Sequence, residues 1–253
     1  MMEDGVRVEK RGAALVATID RPGARNAIAR ETAAQLEAFA KQASADASVR
    51  AAIITGAGRD VFVAGGDLRE FDAFCQQPMG VQHVLDMGSA MAALEDCEVP
   101  VVAAVQGAAL GGGCELTLAC DLVVAESHAT FSFRQAAMGL STGWGGGTRL
   151  TERVGPMHAA RLLLLGAKIG AAEAAQIGLV TQLADQGRSL EKAIAWCDAI
   201  ARLPRASVAG LKRMLRDVRR EHRGNTLVHE AQVFASLWGQ PDHLAAMEAF
   251  RKR

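Results

Sequence analysis

The segment Gly107-Ala-Ala-Leu-Gly111-Gly112-Gly113-Cys114-Glu115-Leu116 follows the apolar run Val99-Pro-Val-Val-Ala-Ala-Val105 and leads into Leu116-Thr-Leu-Ala-Cys120. It predicts a strand, a glycine loop and a helix carrying one carboxylate. Three consecutive glycines leave backbone N–H groups unshielded, and at a helix amino terminus such donors are unpaired and carry the positive end of the dipole. A corner of this kind suits a developing negative oxygen, with Glu115 one turn further on as a proton-transfer group beside it. A purely structural role is also open, since Glu in a first turn complements the dipole and glycine permits close packing.

A second corner of the same kind lies upstream. Residues 49–55 and Val61-Phe62-Val63 read as strand material and deliver the chain into Ala64-Gly65-Gly66-Asp67, ahead of the helix-like Leu68-Arg-Glu-Phe71. Two converging donors bind an oxyanion in preference to a ground-state carbonyl, each worth roughly 2.7 to 4 kcal/mol in the transition state.

Four segments together resemble the crotonase superfamily, which includes the enoyl-CoA hydratases and isomerases: Arg21-Pro-Gly-Ala-Arg-Asn26-Ala, Phe62-Val-Ala-Gly-Gly-Asp67-Leu, Gln106-Gly107 through Glu115-Leu, and Gly145-Gly-Gly-Thr-Arg149-Leu. The resemblance runs from about residue 6 to the end. It implies an α/β fold of the crotonase type, a spiral of repeated ββα units with a C-terminal helical region. It also implies that the Gly66 and Gly112 N–H groups hold a thioester oxygen, that Glu115 is a catalytic glutamate, and that Ala64, Asp67, Leu68 and Gly111 border an acyl-CoA. Coenzyme A is then part of the substrate, with no separate cofactor. Arg25 falls in the segment that contacts the CoA nucleotide in the family, and its fork of donors suits phosphate; a solvated loop arginine is the plain alternative. Phe250 and Lys252 resemble the family's C-terminal element that reaches CoA, against the alternative of a frayed basic end.

Composition removes several other classes. Twenty-eight basic residues balance twenty-eight acidic ones, so no global field attracts nucleic acid or an anionic membrane. The six histidines and five cysteines show no metal-ligand spacing, so no metal site is expected. The odd cysteine number without a Cys-x-x-Cys pair fits reduced thiols. With no apolar stretch of membrane-spanning length and no apolar leader, a cytoplasmic protein is expected. Tyrosine is absent, which excludes mechanisms that use a phenol.

Strands are predicted at residues 15–19, 52–55, 101–105, 122–125 and 130–133, with a helical patch at 31–44 long enough for a crossover between parallel strands. From Gly155 onward the chain turns helical, notably at 159–165, 190–203 and 207–220. Residues 1–195 are expected to form the spiral core with the acyl-CoA site, and 196–253 a helical oligomerisation region. In the last predicted helix Leu227, Ala231, Phe234 and Trp238 form an apolar stripe. It suits either ordinary core or, as in the family, packing between subunits of a homotrimer or hexamer.

The resemblance breaks at one position. Enoyl-CoA hydratases carry a second glutamate where this chain has Gln135, and no Asp or Glu occurs between Ser127 and Thr151. An amide orients a water but does not gain or lose a proton in the working range. Three activities fit: hydration of a 2-enoyl-CoA to a 3-hydroxyacyl-CoA with Glu115 as acid and base, isomerisation of a double bond, or decarboxylation of a malonyl-type acyl-CoA. The turn Met138-Gly-Leu-Ser-Thr-Gly-Trp144 is similar to the tryptophan-bearing turn of decarboxylating members, which makes Trp144 a candidate substrate contact. Hydration is the reading preferred here. Two others remain: binding of acyl-CoA without turnover, and a serine hydrolase using Ser141 within Gly139-Leu-Ser141-Thr-Gly143, although the residues before it make a poor strand for a nucleophile elbow.

Overall fold

The computed structural model describes residues 5–77 and 79–252; residues 1–4, part of the stretch read above as lacking a leader, lie outside them. β1 (Gly5–Arg11) pairs antiparallel with β2 (Ala14–Asp20), and α1 (Arg30–Ala45) follows. A unit of two strands and a helical segment then repeats. β3 (Ala51–Gly56) and β4 (Val61–Val63) precede α2 (Leu68–Cys75), α3 (Gly80–Asp86) and α4 (Ser89–Asp96). β5 (Val101–Val105) and β6 (Ala108–Leu110) precede α5 (Gly112–Ala119), and β7 (Leu122–Glu126) and β8 (Thr130–Ser132) precede α6 (Gly146–Leu164). The core closes with β9 (Lys168–Gly170), α7 (Ala171–Gln176) and β10 (Gln182–Ala184), and the chain continues through α8 (Ser189–Ala201), α9 (Arg205–Arg223), α10 (Thr226–Leu237) and α11 (Pro241–Arg251).

Within each unit the two strands separate. The first joins a six-stranded sheet ordered β1-β2-β3-β5-β7-β10, the second a four-stranded sheet ordered β4-β6-β8-β9. Neighbours are parallel except at β1–β2 and β8–β9. The runs AAIITG and VVAAV are buried along their whole length because both faces of the large sheet are covered. Leu15, Ala17, Ala52, Ile54, Val101 and Ala103 face the main core, which α1 enters through Leu36, Phe39 and Ala43. Their alternates Val16, Ile53, Val102 and Val124 face α8 through Ala193 and Cys197.

The five strands expected from the sequence are present, with ends shifted by a residue or so. Three boundaries differ. The division at 195/196 falls inside α8, which packs on the large sheet. Helix α6 breaks at Gly155, where φ is +76° and ψ 163°, so a helix does start after Gly155 as expected, but a further helical stretch over 146–154 precedes it, its glycine-rich start capped by other parts of the chain. The stripe Leu227, Ala231, Phe234 and Trp238 belongs to α10 and the residue after it; Gly239 in a left-handed turn separates it from the last helix. Phe234 and Trp238 pack within the chain, with ring centroids 5.8 Å apart.

Glycine at 113 allows the start of α5 to sit directly on the end of β4, since a Cβ there would overlap the Val63 carbonyl oxygen. Gly113→Ala is therefore expected to lower stability by about 1–3 kcal/mol, as overpacking against rigid backbone does. Chemical denaturation of the variant against the parent measures it, and unchanged stability would contradict the close approach.

Candidate active site

β4 and β6 run parallel, with Val63 opposite Ala109, so their carboxyl ends deliver Gly65-Gly66 and Gly111-Gly112 side by side. The first loop is held by Ile28 N–H donating to Gly65 O at 2.8 Å and Asp67 N–H to Ile28 O at 2.9 Å; the second by Gly111 N–H to Ser132 O at 2.9 Å. Gly65 has φ +110° and Gly111 φ +51°, conformations strained for any residue with a side chain. A Cβ on Gly65 would stand 3.1 Å from Leu110 O and 3.5 Å from Gly112 N, so the two loops touch. Among the described residues, neither Gly66 N–H nor Gly112 N–H donates a hydrogen bond. Gly112 is the first residue of α5, where the helix dipole favours negative charge.

Glu115 projects from the same helix and is 3% exposed. Its Oε1 accepts from Gln135 Nε2 at 2.8 Å, and its Oε2 accepts from the amides of Trp144 and Gly146, each at 2.9 Å. Burial pushes the carboxyl up to about 7, and the Glu230 carboxylate adds to the rise; the Trp144, Gln135 and Gly146 donors act in the other direction. Gln135 Oε1 is buried and, among the described residues, accepts no hydrogen bond. A carboxyl that titrates near neutrality stands beside an acceptor without a donor, an arrangement suited to a water molecule.

The Trp144 peptide is held at both ends. Its N–H serves Glu115, while its carbonyl accepts from Arg149 Nη1 at 2.7 Å. Arg149 in turn pairs with buried Glu95 at 3.0 Å, and Arg223 pairs with the other oxygen of Glu95 at 2.6 Å. Burial opposes ionisation of Glu95, but the two guanidiniums outweigh it and hold the carboxyl at about 2. The Trp144 indole donates to Val84 O at 2.8 Å and meets Phe71 edge-on, with ring centroids 6.5 Å apart.

These groups border a cavity of about 570 Å³. Of the residues singled out in the sequence, Ala64, Gly66, Leu68, Gly111, Gly112, Glu115, Gln135, Trp144 and Phe250 line it. Arg25, Asp67 and Lys252 do not. Arg25 is exposed in a left-handed turn and offers its carbonyl to Ala64 N–H at 3.2 Å. Asp67 caps α2 through Arg69 N–H and pairs with Arg21 at 3.0 Å, while Lys252 pairs with Glu248 at 2.6 Å. Ser141 lies outside the lining, donates to Thr142 O at 3.2 Å, and follows the short helical turn Ala136–Met138 where an elbow needs a strand. A smaller cavity of about 430 Å³ at Leu68, Arg69, Asp72, Phe250 and Arg251 shares two of these wall residues.

The sequence reading assigns pocket walls to residues 71–91, where Phe71 and Val84 do line the cavity, but it missed the wall formed by Phe234, Ala246 and Ala249, although Phe234 was visible as part of a stripe. It also missed the amides of Trp144 and Gly146, which carry no side-chain signal.

A family model described as enoyl-CoA hydratase/isomerase matches residues 9–253. The chain is 32% identical over 247 residues to the short-chain-enoyl-CoA hydratase of Clostridium acetobutylicum, covering 98% of this chain and 94% of that one. It is 32% identical over 246 residues to the 2,3-dehydroadipyl-CoA hydratase of Escherichia coli, covering 97% and 95%. A crystal structure of an enoyl-CoA hydratase/isomerase from Mycobacterium paratuberculosis superposes with a TM-score of 0.90 at 27% identity, covering 98% of this chain and 99% of that one. With two glycine amides and a buried glutamate around one cavity, and with these relatives spanning nearly its full length, the chain belongs to the enoyl-CoA hydratase/isomerase family of the crotonase superfamily.

Proposed function

We propose that the protein hydrates a 2-enoyl-CoA to a 3-hydroxyacyl-CoA with Glu115 as the sole proton-transfer group. The observation that carries this reading is the Glu115–Gln135 pair facing a cavity bordered by two undonated glycine amides. The thioester oxygen accepts from Gly66 and Gly112, which favours negative charge as the carbonyl becomes enolate-like. Water donates one hydrogen to Glu115 Oε1 and the other to Gln135 Oε1. Its oxygen attacks the β-carbon, Glu115 takes the proton, and the same carboxyl returns it to the α-carbon. The elements of water are added and the enzyme is restored, with no metal or separate cofactor in the cycle.

The hydratase names of the relatives support this reading over isomerisation or decarboxylation. The nucleotide end of CoA leaves past Phe250, where Arg69 and Arg251 flank the smaller cavity; Arg251 is paired with Asp72 at 3.0 Å. Arg25 and Lys252 then act only on the outer phosphates. The homotrimer or hexamer expected from the resemblance is retained as part of the proposal, as is a cytoplasmic site, supported by five cysteines that are all free thiols. Among the described residues, no helix is long and apolar enough to cross a membrane.

Incubation with crotonyl-CoA in heavy-oxygen water should give 3-hydroxybutyryl-CoA labelled at the hydroxyl. Glu115→Gln should lower kcat by about 10²-fold or more, and Gln135→Leu by about tenfold with little change in KM. Absence of labelled product from the parent enzyme, or a fully active Glu115→Gln, would refute the assignment.

Stability should report the same carboxyl. The ordinary value of 4.5 holds in the unfolded chain and about 7 in the folded one. The folded state therefore binds the extra proton between these values, and the associated stability is complete below the lower and lost as pH rises through the upper. Glu115→Gln removes this dependence, so its advantage over the parent should be greater at pH 8 than at pH 5, by about 3 kcal/mol at most. Unfolding curves at the two pH values measure it; a gap that stays constant or reverses would contradict the raised value.

A further inference from the structure

The amino end of α6 presents three amides with no partner inside the helix, those of Gly146, Gly147 and Thr148, and two carboxylates from other helices divide them. Glu115 of α5 takes Gly146 N–H. Glu230 of α10 takes Gly147 N–H at 3.1 Å and Thr148 N–H at 2.9 Å, together with the Thr148 hydroxyl at 2.7 Å. Thr142 Oγ1 also accepts from Gly147 at 3.0 Å. Resting on the reading of Glu115 as the acid–base group, we propose that Glu230 is a positioning residue for the reaction: it anchors α10 over the site and, as a second carboxylate on the same helix end, keeps Glu115 ready to accept a proton.

The charged and titratable surroundings favour this assignment. Cys114 adjoins Glu115 on α5, but burial raises its thiol far above neutrality and leaves it uncharged. Arg134 reaches the cavity lining and is exposed to solvent. Arg149 faces the start of α6, yet its guanidinium is committed to Glu95 and to the Trp144 carbonyl. On α10 itself the neighbouring His229 is exposed. Among the described residues no cation pairs with Glu115 or Glu230. The like charge of Glu230 therefore acts on Glu115 with little compensation, in the direction already given for that carboxyl. The same side chain sits one turn before Phe234, which walls the cavity, so the anchor also fixes the apolar face of the site.

The test compares Glu230→Gln, which removes the charge, with Thr148→Val, which removes one hydrogen bond and keeps the charge. The acidic midpoint of kcat/KM against pH for crotonyl-CoA should fall by about half a unit or more in Glu230→Gln and stay in place in Thr148→Val. A midpoint that does not move in Glu230→Gln, even with lower activity, reduces Glu230 to a structural role and overturns the proposal. A direct reading uses protein labelled with carbon-13 at the glutamate carboxyls, the Glu115 signal being the one lost in Glu115→Gln. Its titration midpoint should fall in Glu230→Gln by the same amount. If glutamine is not tolerated at 230, Glu230→Ala takes its place, with the same fall of the Glu115 midpoint expected and an unmoved midpoint overturning the proposal. The labelled titration needs no substrate. Failure to hydrate any enoyl-CoA therefore sinks the functional reading, while an unmoved Glu115 signal sinks this one.

Discussion

The site depends on the direct approach of two pieces of backbone, the end of β4 and the start of α5, with no side chain between them. Gly113 lies on the Val63 carbonyl, and Gly65 lies against Leu110 O and Gly112 N. Parallel pairing of β4 with β6 sets the two loops at the same height, and the positive φ values at Gly65 and Gly111 turn the peptides that follow. A pair of main-chain amides, proposed here to hold the thioester oxygen, has no side-chain entropy to lose and no rotamer to select, so its geometry is as rigid as the sheet. Buried Asn26 and Gln106 serve this rigidity. Both side-chain amides donate to Val61 O at 3.0 Å and fix the start of β4.

The opposite wall is organised around the start of α6. A peptide held by Glu115 at one end and Arg149 at the other has little freedom to rotate, and Arg149 is itself fixed by a buried cluster with Glu95 and Arg223. Burying such a cluster costs desolvation that mutual attraction only partly repays, and apolar replacements often match it in stability. What apolar side chains could not supply is a donor aimed at the Trp144 carbonyl. The cluster joins α4, α6 and α9, so the orientation of Glu115 is tied to helices that never touch the cavity.

The parallel core was legible because buried parallel strands read as continuous apolar runs, and because glycine doublets at their ends have few other uses. Both glycine loops and Glu115 stood out for that reason, whereas Gln135 stood out only as the position where the family resemblance breaks. Strands of three residues such as β6, β9 and β10 are too short to show a period, and β1 hides among alternating charges at a sheet edge. Asp67 was placed beside the substrate by the resemblance, and in the fold its carboxylate caps α2 through Arg69 N–H and pairs with Arg21. Glu230 carried no signal, since a glutamate on a polar helix surface is ordinary until the end of another helix is found in front of it.

Replacing the second glutamate by Gln135 places a stricter demand on the carboxyl that remains. In the proposed reaction one group must accept a proton from water and return it to carbon within a single turnover. A carboxylate at the ordinary value of 4.5 would be ionised at pH 7 but a weak base toward water, whereas one near 7 is a stronger base that is still about half ionised there. Burial supplies most of that rise, and it requires the site to be closed on the side away from the sheet. Buried Phe234 of α10 and the more exposed Phe250 of α11 line that side of the cavity. The C-terminal helices are therefore part of the chemistry through the dielectric they impose on Glu115, although neither carries the reacting group.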